Sequence, residues 1–185
     1  MLIVDAEDSD KPATPGDTGQ IAGRGAALML GYFGNQETTQ DSFNRGGWFL
    51  SGDLGRMDEN GNLHIDGRLK DLIIRGGHNI YPSHIEALAL RSPDVEKVAA
   101  FPIPDDRLGE KVCIAVIGSL EPDELLSHLD AEGLSKYDMP EYFLRVESLP
   151  LTASGKILKR ELTEMHRRGE INPAPIRFQA SKEGV

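Results

Sequence analysis

Lys156 stands in the stretch "LPLTASGKILKREL", residues 149 to 162, behind Ser154 and Gly155 and just ahead of a helix-like run. Small neighbours leave its ammonium free to reach an anion as a mobile point charge. Two further groups could handle the same kind of ligand. Asp53 follows Gly52 in "SGDLG", where a tight turn would present an acceptor-only carboxylate able to take two ribose hydroxyl hydrogen bonds. Arg68, in "GRLKD", stands beside a chain reversal where its planar fork could reach ribose or phosphate oxygens. Each group also has a plain structural reading. An aspartate after glycine commonly forms a turn, and an arginine at a strand end or a lysine in a loop is commonly solvated. The standard phosphate cradles are missing. "GKI" at 155 to 157 lacks the Ser/Thr and the earlier glycine of a P-loop, and "GRGAAL" at 23 to 28 fails the dinucleotide fingerprint at its third glycine.

The elements that must position these groups are readable from pattern. Residues 5 to 19, rich in Asp, Pro, Gly and Thr, predict a loop, and "QIAGRGAALMLGYFG" predicts short strands or turns. In "GGWFLSGDLGRMDENGNLHID" the "DENGN" turn separates two strand-like pieces, so a hairpin is expected. "GRLKDLIIRGGHNIYP" predicts a second strand pair around a Gly-Gly turn. "PSHIEALALRSP" predicts a helix with Pro82 near its start, a Ser83–Glu86 capping box, and Ile85, Leu88 and Ala89 on one face. "VEKVAAFPI" and "KVCIAVI" read as two strands of one sheet. "PDELLSHLDAEG" reads as a helix between Pro122 and Gly133, "EYFLRVESLP" as a strand and "GKILKRELTEMHRR" as a last helix. The closing "EINPAPIRFQASKEGV" has no strong period. The expected fold is α+β: a small mixed sheet with packed helices, preceded by short strands that look like a piece of something larger.

Composition bounds the function. The 185 residues carry a formal charge of -10, which argues against a general nucleic-acid surface. The histidines lack tight metal-ligand spacing, so no metal site is expected. The single cysteine, Cys113, lies in an apolar run and reads as a small core residue in a reducing compartment. No signal peptide and no membrane-spanning run is visible, and the expected location is cytoplasmic.

The order of the pieces carries more than any one of them. "GWFLSGDLGRMDENGNLHIDGRLKDLIIRGGHNIYPSHIE" followed by "LPLTASGKILKREL", between residues 47 and 162, resembles the C-terminal motifs of the adenylate-forming superfamily. That superfamily includes acyl-CoA synthetases, peptide-synthetase adenylation domains and luciferases. The upstream "GQIAGRGAALMLGYFGNQETT" is similar to the family's strand and loop before the "GW" piece. The resemblance implies a two-step reaction. A carboxylate attacks the α-phosphate of Mg2+-bound ATP to give an acyl-adenylate and pyrophosphate, and a thiol, usually that of CoA, then displaces AMP.

It also implies a large N-terminal domain and a small C-terminal lid that rotates between the steps. On that reading residues 1–66 end the large domain, 67–185 form the lid, and the hinge lies near 68–71. The resemblance further implies that Asp53 grips the ribose hydroxyls, Arg68 contacts the nucleotide, and Lys70 is the hinge. Gly76, Gly77, His78 and Asn79 would line the pantetheine tunnel, and Lys156 would bridge the substrate carboxylate and the α-phosphate. These roles make physical sense. An anion attacking a triphosphate needs a cation between two negative groups, and paired glycines let a backbone approach a narrow ligand closely. The phosphate loop, adenine contact and acyl pocket are absent, so the expectation is the C-terminal fragment of an acyl-CoA ligase, inactive alone. Its substrate would be an aliphatic, alicyclic or aromatic carboxylic acid. The alternatives are a peptide-synthetase adenylation domain loading a carrier protein, and a stand-alone, non-catalytic module with the lid fold.

Overall fold

The run "VAAFPI" alternates sides without alternating polarity, because both faces of its strand are covered. In the computed structural model, which describes residues 1–178, this run lies in β7 (Val95–Asp105), paired antiparallel along its length with β8 (Gly109–Gly118). Val98 and Ala100 face one core with Val112, Ile114 and Val116, whereas Ala99, Phe101 and Ile103 face another with Cys113 and Ala115. A strand buried on both faces reads as a continuous apolar segment. Pro102 and Pro104 fit in β7 because its ladder partner is β8 alone among the described residues, so their missing donors cost no second ladder.

The chain divides into two compact units, Met1–Lys70 and Asp71–Val185. In the first, β1 (Leu2–Val4), β2 (Gly19–Gly23), β3 (Phe49–Met57) and β4 (Leu63–Arg68) form an antiparallel sheet in chain order, with Val4, Ala22 and Leu54 buried. The β3–β4 hairpin closes at "DENGN" as expected. Asp58 accepts hydrogen bonds from the backbone N–H groups of Asn60 (2.9 Å) and Asn62 (2.8 Å), and from the Asn62 amide at 2.9 Å. Those donors, with His64, hold its carboxyl well below the usual range. A short helix, α1 (Gln36–Asp41), was not legible in the sequence. It is capped by Asn35, whose side chain accepts from Thr38 N at 3.0 Å.

In the second unit a mixed α+β arrangement covers a six-stranded sheet. It contains β5 (Ile73–Arg75), β6 (His78–Ile80), β7, β8, β9 (Tyr142–Arg145) and β10 (Ala174–Pro175). β8 and β9 run parallel, with Cys113 opposite Tyr142, and the other pairings are antiparallel. Helices α2 (Pro82–Ala89) and α3 (Pro122–Ala131) pack on the Val98 face, burying Ile85, Leu88, Leu125 and Leu129. Helix α4 (Lys159–Arg167) packs on the Phe101 face through Leu162.

Three local expectations need correction. The N-cap of α2 is Tyr81, not Ser83, and Tyr81 makes no side-chain capping hydrogen bond among the described residues. Glu86 instead points inward and accepts a hydrogen bond from Ala100 N at 2.8 Å. The capping box of this unit is Glu121 with Glu124 on α3. "GRLKD" is not part of the second strand pair: it ends β4 and continues into a 3-10 turn, Leu69–Asp71. Of the closing stretch, Ala174 and Pro175 pair with β9 and Ile176 and Phe178 pack on the core, while residues 179–185 lie outside the described residues.

Cys113 is fully buried, and desolvation pushes its thiol far above the ordinary value. The native chain is therefore expected to leave a small thiol reagent unreacted and to titrate one thiol after denaturation. A stoichiometric reaction within minutes under native conditions would contradict this placement.

Candidate functional site

Asp53 does not sit in a tight turn. It lies within β3, directly across from Arg68 at the end of β4, in a hairpin whose register shifts between Leu54 and Gly55. The pairing brings Arg68 Nε to 3.2 Å from Asp53 Oδ1, and the side chains are 63% and 36% exposed. At that exposure the pair is worth roughly 0–1 kcal/mol, so its value is geometric rather than stabilising. Asp53 keeps Oδ2 and Arg68 keeps its two terminal amino groups unpaired among the described residues. The first unit thus offers an acceptor and a cationic fork side by side, a set suited to a ribose and its phosphate.

Lys156 is presented by a turn in the second unit. Gly155 N donates to Thr152 O at 2.9 Å and Thr152 N to Lys156 O at 2.7 Å, while Lys156 N donates to Thr152 Oγ1 at 3.0 Å. The turn needs a positive φ at Gly155, +81°, which glycine supplies without a Cβ clash. A Leu151–Ile157 bridge and the Leu158 N to Pro150 O bond, 2.8 Å, keep 156–158 extended. The last helix consequently begins at Lys159 rather than at Gly155. The Lys156 side chain is exposed and has no hydrogen bond or ion pair among the described residues.

Gly76 and Gly77 form the two-residue loop of the β5–β6 hairpin, with Arg75 opposite His78. Their φ values, +59° and +85°, are those a type I′ turn demands, so the turn alone requires both glycines. The hairpin is clasped by segments far along the chain. Gly76 N donates to Leu108 O at 2.7 Å, and Arg75 Nη1 donates to Glu141 Oε1 at 2.7 Å. Arg75 Nη2 donates to Tyr137 O, and His78 Nε2 pairs with Asp138 Oδ1 at 2.7 Å. Asn79 is exposed in β6. This turn and the Lys156 turn are held by different partners.

Lys70 is exposed in the 3-10 turn, and the division between the two units falls immediately after it. The sequence reading missed the residues that hold these groups: Thr152, Asp138, Glu141, and a partly buried pair, Lys159 with Glu86. Nothing local marks their roles, although Glu86, Glu141, Thr152 and Lys159 lie inside stretches already singled out.

Residues 84–156 match the AMP-binding enzyme C-terminal domain. The chain is 39% identical over 158 residues to a medium-chain fatty-acid–CoA ligase of Escherichia coli (strain K12), a match covering 83% of this chain and 28% of that protein. It is 42% identical over 158 residues to a feruloyl-CoA synthase of Amycolatopsis sp, covering 83% and 32%. Among solved structures, ATP-bound MatB from Rhodopseudomonas palustris superposes with a TM-score of 0.81 at 35% identity, covering 90% of this chain and 33% of that one. The o-succinylbenzoate CoA synthetase (MenE) of Bacillus subtilis with the acyl-adenylate OSB-AMP gives 0.80 at 30% identity, covering 88% and 33%. The chain therefore spans about a third of the length of the proteins it matches.

Proposed function

Because this chain belongs to the adenylate-forming superfamily and carries its C-terminal domain, we propose that it serves as the nucleotide-gripping edge and the lid of an ATP-dependent acyl-CoA ligase. The observation that carries the reading is the division of the chain after Lys70. The ribose-type acceptor Asp53 and its partner Arg68 lie in one unit, and the exposed Lys156 turn and the 76–79 hairpin lie in the other. A cation that must enter for one step and leave for the next belongs on a unit joined through a short hinge.

In the first half-reaction Asp53 accepts hydrogen bonds from the ribose hydroxyls and Arg68 supports the nucleotide. Lys156 brings its ammonium between the attacking carboxylate and the α-phosphate, where it offsets the charge that builds as pyrophosphate departs. Mg2+ would arrive with the triphosphate and share that neutralisation. The lid then turns at Lys70. The open side of the 76–79 turn, where a Cβ on Gly77 would meet nothing within 4 Å, lines the passage for the pantetheine of CoA. Its thiol displaces AMP from the acyl-adenylate. The names of the relatives favour CoA over a carrier-protein acceptor. The acid is a carboxylate whose pocket lies in a larger domain. Leu30 and Phe33 stand fully exposed in the first unit, an apolar edge that such a domain would cover.

The 185 residues alone are expected to show no carboxylate-dependent pyrophosphate release with short-chain, medium-chain or aromatic acids. The complete ligase containing them should release pyrophosphate with at least one of these. Turnover by the 185 residues alone would overturn the division of labour, and a complete protein that adenylates no acid would overturn the reading itself.

A further inference from the structure

Lys159, three residues beyond Lys156, is the first residue of α4 and is largely buried. Its ammonium lies 2.9 Å from Glu86 on α2, and the side chains of both residues are 17% exposed. The same ammonium is 3.9 Å from Asp71, the residue that follows Lys70. Glu86 also accepts from Ala100 N on β7, so one carboxylate ties two helices to the strand they cover. Burial pushes the Glu86 carboxyl up, and Lys159 opposes that shift. The N-cap of α4, Leu158, makes no side-chain capping bond. The first turn of α4 is therefore held by the Lys159–Glu86 pair, with Leu162 and the Thr163 Oγ1 to Pro102 O bond, 3.2 Å, one turn further on. The residue just ahead of that turn, the N-cap Leu158, anchors the C-terminal side of the Lys156 turn through its N–H to Pro150 O.

We propose that Lys159 is a positioning residue, whose partly buried pair with Glu86 holds the start of α4 and thereby fixes the turn that presents Lys156. The inference rests on the role given to Lys156 above. An ammonium needed between two anions is useful only if its backbone is fixed, since a misplacement of an ångström in such a group can cost roughly 10²-fold in rate. Lys156 has a long flexible stem and, among the described residues, no side-chain partner of its own, so its accuracy comes from the turn beneath it.

Removing Lys159 alone would leave Glu86 as a largely desolvated charge without its cation and threaten folding. The test therefore uses Lys159→Met together with Glu86→Gln, which removes both charges, and Lys159→Arg, which keeps the pair. The first readout is amide hydrogen exchange in the 185-residue chain. Exchange at Thr152, Lys156 and Leu158 is expected to quicken in the doubly neutral variant and to stay near the parent rate in Lys159→Arg, with the melting transition retained in both. The second readout is in the complete ligase. The neutral pair should slow adenylation by roughly 10²-fold, through kcat rather than the KM for ATP, and spare thioester formation from supplied acyl-adenylate. Adding Lys156→Ala should lower adenylation no further than Lys156→Ala alone, the non-additivity of a residue acting through another. Unchanged exchange, additive losses, or equal losses in both half-reactions would overturn the positioning role. If Lys156→Ala itself left adenylation intact, the reading of Lys156 would fall, while the exchange rates would still decide whether Lys159 holds the turn.

Discussion

Lys156→Ala, made in the complete ligase, is expected to slow acyl-adenylate formation by roughly 10²–10³-fold, the usual cost of removing one preorganised donor from developing charge. Thr152 and Gly155 fix the backbone, and the exposed side chain has no partner among the described residues. Among the described residues no ion pair is lost with the ammonium, so the substitution should leave the melting transition in place. What disappears is attraction to two anions at once. At an effective dielectric constant of about 20, a single unit charge about 4 Å away contributes about 4 kcal/mol. Thioester formation from supplied acyl-adenylate should be largely spared, because the α-phosphate no longer gathers charge from an attacking carboxylate. Pyrophosphate release in the first half-reaction and AMP release in the second separate the two steps. Equal losses in both would sink the assignment.

Lys70→Pro is expected to spare adenylation and impair thioester formation by roughly 10²-fold, because the second step needs a reorientation that proline resists. Proline holds φ near -65°, and a 3-10 turn already occupies that region, so the variant suits the conformation seen at Leu69–Asp71. The strain falls on Leu69, since a residue preceding proline is pushed out of the helical region. A melting curve must therefore accompany the kinetics. If Lys70 were only a solvated residue at the end of a hairpin, proline would lower stability and slow both half-reactions together. A folded variant with full thioester formation would count against the hinge.

The hairpin of β3 and β4, the helices around Ile85 and Leu125 and the strands around Phe101 were legible because their signals are short-range. "DENGN" closes on its own Asp58, Pro82 and Pro122 open helices at their own positions, and an apolar run announces a strand covered on both faces. The order of motifs from residue 47 to residue 162 likewise carries the family resemblance without any long-range contact.

The sequence alone could not say what holds the chemistry in place. Lys159 meets Glu86 across 73 positions, Arg75 meets Glu141 across 66, and His78 meets Asp138 across 60. Each partner reads locally as a solvated charge or a cap, and Glu86 read as half of a capping box until the packing of α2 and α4 against β7 turned it inward. Asp53 read as a turn residue, yet the ladder with β4 keeps it in a strand opposite Arg68. The start of α4 was set by the bond from Leu158 to Pro150, which a helical period cannot reveal. Local propensity and turn chemistry are properties of a few neighbouring residues, and they settled the elements. Ion pairing and burial depend on which elements pack together, so only the tertiary structure decided which charges are exposed to a ligand and which hold the scaffold.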